Sequence, residues 1–312
     1  MSGAISLTKS EKPGLKTDIK RVAQRTEKVG YLLLLPFYVF YFFFILVPVI
    51  AALFLSFTNY DFYKTMNWVG LKNYINIFGD DVFVKSVWNT LRYGILTIIP
   101  QMVIGLAVAI ALNGNIAFKK FSRSAFYIPF IFSMVAVSMI WMWIYDPSYG
   151  FLNKLLVSLG LAPKQWLFDA RYALNAITVM SVWKVIGYNM VVYLAGLQSI
   201  PGYLYEAALV DGAGAWKRFV KITFPMLSPT TFFLFVTACI NTFKVFEQVN
   251  VMTNGGPMDS TTTIVHQIYN KAFIEFKMGY ASSMSIVMLI IIALITLANM
   301  KYGNQGNDLD IG

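Results

Sequence analysis

The chain predicts an all-α, polytopic membrane protein with six transmembrane helices, and three observations carry that prediction. Hydrophobic residues make up 57% of its 312 residues and charged ones only 13%, which exceeds the apolar share of a soluble domain. Its charge-free runs are long enough to cross ~30 Å of hydrocarbon at ~1.5 Å per helical residue. They cover residues 29–60, 93–118, 124–145, 222–243 and 278–300, and a sixth, 172–205, contains one charge, Lys184. Finally, the short loop 113–123 carries Lys119, Lys120 and Arg123 and no acid, as a cytoplasmic loop does.

Ahead of the first run, residues 1–28 hold seven Lys/Arg and few apolar side chains. They are expected as a cytoplasmic, partly disordered tail. The first run is too long, and too far from the start, for a secretory signal peptide, so it is expected to be retained as a helix. With the amino terminus inside, the inner segments collect fourteen Lys/Arg and the outer loops ten. Both termini are therefore expected on the cytoplasmic side. The formal net charge of +10 is accounted for by flanks that meet anionic lipid headgroups, and it does not imply nucleic acid.

Loop 61–92 contains an aromatic stretch, Trp68 to Tyr74 with Ile77 and Phe78. It fits an interfacial aromatic belt as well as a docking surface for an external partner. Loop 146–171 has Pro147, Gly150 and Pro163 at turns, with a short helix expected over 152–159. Cys239 stands alone, which excludes an internal disulfide, and is expected to pack within a helix. The one histidine, His266, is expected as a solvated loop residue rather than a metal ligand.

A charge inside a bilayer costs roughly 2.5–3.5 kcal/mol on insertion scales, so Lys184 needs a reason. It either reaches outward to the headgroups or faces a water-filled cavity together with Trp183, Gly187, Tyr188 and Asn189. Asn241, Thr242, Lys244, Glu247 and Gln248, at the outer end of the fifth run, would face the same cavity. Aromatic faces beside amide and charged groups suit a hydroxyl-rich solute.

The loop after the fourth run carries Pro201, then a helical stretch 203–210, then Gly212 and Gly214. Proline is suited to a first helical position and glycine to the left-handed end. A second helical stretch, 216–223, should stop before Pro225. One side of the first helix would present Tyr203, Ala207 and Val210, with Glu206 and Asp211 free for polar contacts and Ala207 and Ala208 small enough for close approach.

The run Glu206-Ala207-Ala208-Leu209-Val210-Asp211-Gly212-Ala213, followed by Ile222 and Pro225, resembles the E-A-A-x-x-D-G-A…I-x-x-P signature of permease subunits in bacterial binding-protein-dependent ATP-binding-cassette importers. Residues 193–201 extend the match upstream. Thr253-Asn254-Gly255-Gly256-Pro257, Ile268-Tyr269 and Ala272-Phe273 look like the carbohydrate branch, in particular the maltose-, lactose- and glycerol-phosphate-type permeases. The resemblance spans roughly residues 30–300. It implies a permease domain over 29–302 with a coupling loop at 200–225, and a cytoplasmic tail at 303–312, in a bacterial cytoplasmic membrane.

It further implies half of a translocation pathway for a sugar or oligosaccharide, with a second permease, two cytoplasmic ATPase subunits and an external solute-binding protein as partners. Tyr203, Glu206, Ala207, Ala208, Asp211 and Gly212 would couple to the ATPases. The chain has no G-x-x-x-x-G-K-[ST] phosphate loop, so no cofactor is expected on it, and ATP and Mg would belong to the partner ATPases. An amino-acid or peptide permease is the nearer alternative. A membrane-embedded enzyme is the more distant one, since no acid/base constellation is present.

Overall fold

A computed structural model describes residues 31–63, 65–114 and 118–303. The expected tail at 1–28 lies outside the described residues, as does nearly all of the one at 303–312. The chain divides into two units between Phe54 and Leu55. Among the described residues the regular elements are helices, apart from one isolated antiparallel bridge between Thr58 and Trp68. Four helices among the described residues are long and apolar enough to cross a membrane, and two bent pairs bring the number to six if each counts as one span.

The described part of the first unit is α1 (Tyr31–Leu55) up to Phe54, and this helix is uncharged throughout. Its ladder widens into a π-type turn at Phe42–Leu46, two residues ahead of Pro48, whose ring lacks an N–H and crowds the carbonyl one turn back.

In the second unit, α2 (Lys72–Phe78) is fastened to the preceding chain by Asn73, whose Nδ2 donates to the carbonyls of Ser56 and Thr58 at 2.9 and 2.8 Å. The Trp68 ring stacks on Phe57 at 5.3 Å. Next, α3 (Asp81–Asn113) starts twelve residues before the expected span and ends at Asn113. A charge-free window marks only the hydrocarbon segment, whereas a helix continues wherever its polar ends find partners. Asp80 caps it by accepting from the amides of Val82 and Phe83, Lys85 donates to Met258 O and Arg92 to Asn175 Oδ1.

The expected straight span 124–145 is instead two helices, α4 (Lys119–Ile131) and α5 (Met134–Ile144), bent by 99°. Phe132 and Ser133 leave helical dihedrals with ψ of 148° and 139°. The break persists because a buried side chain from another helix serves the carbonyls it frees. A short helix, α6 (Phe151–Ser158), forms close to where expected, and Asn153 ties its loop together by accepting from Lys164 N and Trp166 Nε1. The fourth span, α7 (Ala173–Ser199), packs along α3 and α4.

The loop helix, α8 (Gly202–Val210), begins after Pro201, which occupies the capping position with extended ψ of 129° rather than the first helical position. Gly212 has φ of +69°, the left-handed end read from the sequence. The following segment, α9 (Ala215–Met226), runs through Pro225 instead of stopping before it. The reason matches that in α1: a π-type turn at Phe219–Thr223 opens the ladder two residues ahead of the proline. α9 meets α10 (Ser228–Phe243) at 61°.

Two short helices, α11 (Glu247–Met252) and α12 (Ile264–Tyr269), precede α13 (Met278–Gly303). The connection between α11 and α12 is held to α3 by Asn89, whose Nδ2 donates to the carbonyls of Asp259 and Thr262 at 2.9 and 3.0 Å. His266 corrects the expectation of a solvated loop residue. It lies on α12, 1% exposed, with ring nitrogens 3.0 Å from Thr262 Oγ1 and 3.4 Å from Asn254 Oδ1. Its polar neighbours come from residues 4 and 12 positions away, which one histidine in a sequence cannot announce. Burial pushes its imidazole below the usual value, and the Asp259 carboxylate opposes this in part. Cys239 is buried on α10.

Candidate functional site

Helices of the second unit line a cavity of about 300 Å³. From α3 come Tyr93, Thr97 and Gln101, spaced four residues apart on one face. Helix α7 contributes Ser181, Tyr188 and Asn189, α10 contributes Thr237, Asn241 and Thr242, and Gln248 reaches in from α11. Phe130 and Met134, on either side of the α4/α5 break, complete the wall.

The lining is polar where it is deep. Gln248 Nε2 donates to Tyr93 Oη at 3.0 Å, and Thr97 Oγ1 returns to the Tyr93 carbonyl at 2.7 Å. Asn189 is buried, yet its Nδ2 has no hydrogen-bond partner among the described residues. A buried amide donor left unpaired costs roughly 1–3 kcal/mol, which makes Asn189 the candidate of most interest in this lining. The Phe130 and Tyr188 rings stack at 4.9 Å with a 21° interplanar angle, giving the cavity an aromatic face.

Of the residues expected to face a cavity, the fold brings together Tyr188, Asn189, Asn241, Thr242 and Gln248. The others lie outside its lining. Trp183 is partly exposed and packs edge-on against Trp141 at 5.6 Å. Lys244 and Glu247 are exposed at the junction of α10 and α11. Gly187 faces α4, where an added Cβ would collide with the Phe126 carbonyl. Lys184 neither reaches toward the headgroups nor enters the cavity. It is 6% exposed, and its ammonium donates to the carbonyls of Pro129, Phe130 and Phe132 at 3.3, 2.9 and 2.7 Å.

Reading from the one charge in the spans missed Tyr93, Thr97, Gln101, Ser181 and Thr237. A signal for part of this set was present: 93, 97 and 101 recur every four residues, as do 181 and 189 over two turns, so each set lies on one helical face. What the spacing does not tell is that the two faces meet.

The second candidate region is α8 with the turn after it. Tyr203, Glu206, Ala207, Asp211 and Gly212 are exposed, and Ala208 is half-buried. Val210 at 89% and Trp216 at 76% exposure add large apolar surface, more than a solvated helical hairpin requires. Behind them Tyr205 Oη lies 2.9 Å from Thr223 Oγ1, which locks α8 to α9 while leaving the outer face open.

Residues 101–304 match the family described as "Binding-protein-dependent transport system inner membrane component". The chain is 34% identical to "Probable ABC transporter permease protein YurN" of Bacillus subtilis (strain 168), over 90% of this chain and 97% of that one. It is 31% identical to "Trehalose/maltose transport system permease protein MalF" of Thermococcus litoralis, over 92% of this chain and 98% of that one. Among solved structures it is similar to a chain of a "bacterial alginate ABC transporter in complex with alginate pentasaccharide-bound periplasmic protein", with a TM-score of 0.79, 25% identity, and 91% and 94% of the two chains covered.

Proposed function

Because the chain belongs to the family of inner membrane components of binding-protein-dependent transport systems, we propose that it forms half of the translocation pathway of an ATP-driven importer for a sugar or oligosaccharide. The named relatives that act on trehalose, maltose and alginate support the solute class. The observation that carries it is the cavity lining. Tyr188 and Phe130 offer aromatic faces, and Asn189, Asn241 and Gln101 offer amides, a combination that holds sugar rings by stacking and hydroxyls by hydrogen bonds.

In this reading Tyr188, Asn189 and Asn241 touch the passing solute, and the unpaired Nδ2 of Asn189 donates to a hydroxyl. A second permease supplies the facing wall. An external receptor delivers the solute, a role supported by the alginate transporter's complex with an alginate pentasaccharide-bound periplasmic protein. The exposed face of α8, from Tyr203 to Gly212, docks a cytoplasmic ATPase subunit, and both termini lie on that side. ATP and Mg bind those ATPases. Their closure pushes α8, and Tyr205 with Thr223 passes the displacement to α9 and α10, which carry Thr237 and Asn241.

The test is reconstitution of the permease pair, ATPases and receptor in proteoliposomes, with the solute taken from mass spectrometry of the purified receptor. Uptake should depend on ATP and on the receptor, and the receptor-borne solute should be a carbohydrate. Asn189→Leu, which keeps the volume and removes the donor, should lower uptake about five- to thirtyfold, as ~1–2 kcal/mol implies. Uptake that survives omission of the ATPases, or a receptor loaded with an amino acid or peptide, would refute the reading.

A further inference from the structure

The buried ammonium of Lys184 is used by neither the cavity lining nor the loop helix. A helix leaves its last carbonyls without intrahelical partners. At the end of α4 those groups lie inside the protein, where the chain turns by 99° into α5. An ammonium has three donors, and the geometry places one toward each of Pro129, Phe130 and Phe132 O. A positive charge at this point also faces the negative end of the α4 dipole. Lys184 is thus a cap supplied from another helix, fifty-two to fifty-five residues away in sequence.

The break it caps is part of the cavity wall. Phe130, whose carbonyl Lys184 holds, stacks on Tyr188, one turn further along α7 from Lys184. Met134, the first residue of α5, lines the cavity on the other side of the break. At Gly187 the α4 backbone approaches so closely that no side chain fits between. α4 is thereby held to α7 at one point by packing and at another by three charge-assisted hydrogen bonds, and between them the pair Phe130–Tyr188 is fixed.

We propose that Lys184 is a positioning residue of the solute pathway: it sets the α4/α5 break and with it the aromatic wall, and it does not itself contact solute. This rests on the cavity being the pathway, and the two claims fail separately in the following experiment. The complete transporter is reconstituted with Cys239→Ser and Thr237→Cys, which places one thiol in the cavity. Its rates of modification by a cationic and an anionic methanethiosulfonate reagent of similar size are compared.

Lys184→Met should change both rates in the same direction and by a similar factor, threefold or more, because the wall moves while the cavity's charge does not. Lys184→Arg should restore both rates toward the parent values. Lys184→Gln, which keeps two N–H donors without the charge, should fall between and carries the test if the Met variant does not assemble. Opposite changes, faster with the cationic reagent and slower with the anionic one, would put the charge inside the cavity and overturn the proposal. Unchanged rates would overturn it as well. Separately, if modification of Thr237→Cys by a bulky reagent leaves uptake intact, the cavity is not the pathway, whatever the rates say of Lys184.

Discussion

The helix α8 and the break between α4 and α5 are both short interruptions of the spanning helices, but they are built in opposite ways. On α8 most side chains are exposed, and its end is set by Gly212 at φ of +69°. At the break the carbonyls are served by a lysine from a distant part of the chain, and Gly187 admits the neighbouring backbone. Exposed groups have little within the chain to lose, so changes on α8 should reach partners and spare the fold. Buried groups meet their neighbours first, so changes at the break should reach the fold and the cavity together.

The strongest way to break this contrast is Gly187→Leu. Its side chain must enter space filled by the Phe126 carbonyl and Tyr127, and overpacking of this kind costs about 1–3 kcal/mol, more where backbone cannot move. The purified subunit in detergent should lose several degrees of thermal unfolding midpoint or fail to accumulate. A normal midpoint would mean that α4 is not fixed on α7.

Gly212→Val is the counterpart on the loop. A β-branched residue in left-handed geometry costs roughly 1–2 kcal/mol, and the strain falls on an exposed turn. Insertion and thermal midpoint should stay near those of the parent, while ATP hydrolysis stimulated by loaded receptor drops about tenfold. Parental stimulation in an assembled complex would remove α8 from the coupling path.

A smaller effect is expected from Asp80→Ala. That carboxylate accepts from two amides at the start of α3 and from Tyr280 Oη at 3.0 Å, so its loss should cost about 1–2 kcal/mol, read as the denaturant midpoint. Because the cap lies away from both interruptions, receptor-stimulated hydrolysis should not change at temperatures where the variant is folded.

The mildest expectation concerns His266. Its folded-state pKa lies below the ordinary value because burial disfavours the imidazolium, with Asp259 opposing in part. The unfolded state therefore binds the proton more readily, and stability present above about pH 6.5 should decline as pH falls below it. His266→Gln should flatten that decline between pH 7 and 5. Equal slopes in both proteins would show that other groups set the pH dependence.

Much of the loop region was legible because its signals are local. Pro201, Gly212 and the Glu206–Ala213 run lie within a dozen residues, and the expected 203–210 helix agrees with α8 to within a residue. The departures there, Pro201 as the cap and α9 running through Pro225, are one-position effects of how each proline's ring meets the turn before it. In the spans, each hydrophobic run falls on one of the four long apolar helices or on one of the two bent pairs, but the runs did not show the 99° break. Pro129 alone does not specify it, since a proline within a span is tolerated when neighbours serve the freed carbonyls. The cavity was legible only in part. Tyr188, Asn189, Asn241, Thr242 and Gln248 stood near conspicuous groups, whereas Tyr93, Thr97 and Gln101 stood in an apolar run with no charge to mark them.

The sequence by itself determined that the chain is a helical membrane protein, where its long apolar segments lie, and which loop carries the E-A-A pattern, because hydrophobic length, glycine and proline act over a few residues. Tertiary structure alone decided what Lys184 does. A buried ammonium must find acceptors, and which acceptors depends on the backbone that lies beside it. Here these are the carbonyls of a helix end more than fifty positions away, and only the packing of α4 on α7 puts them within reach.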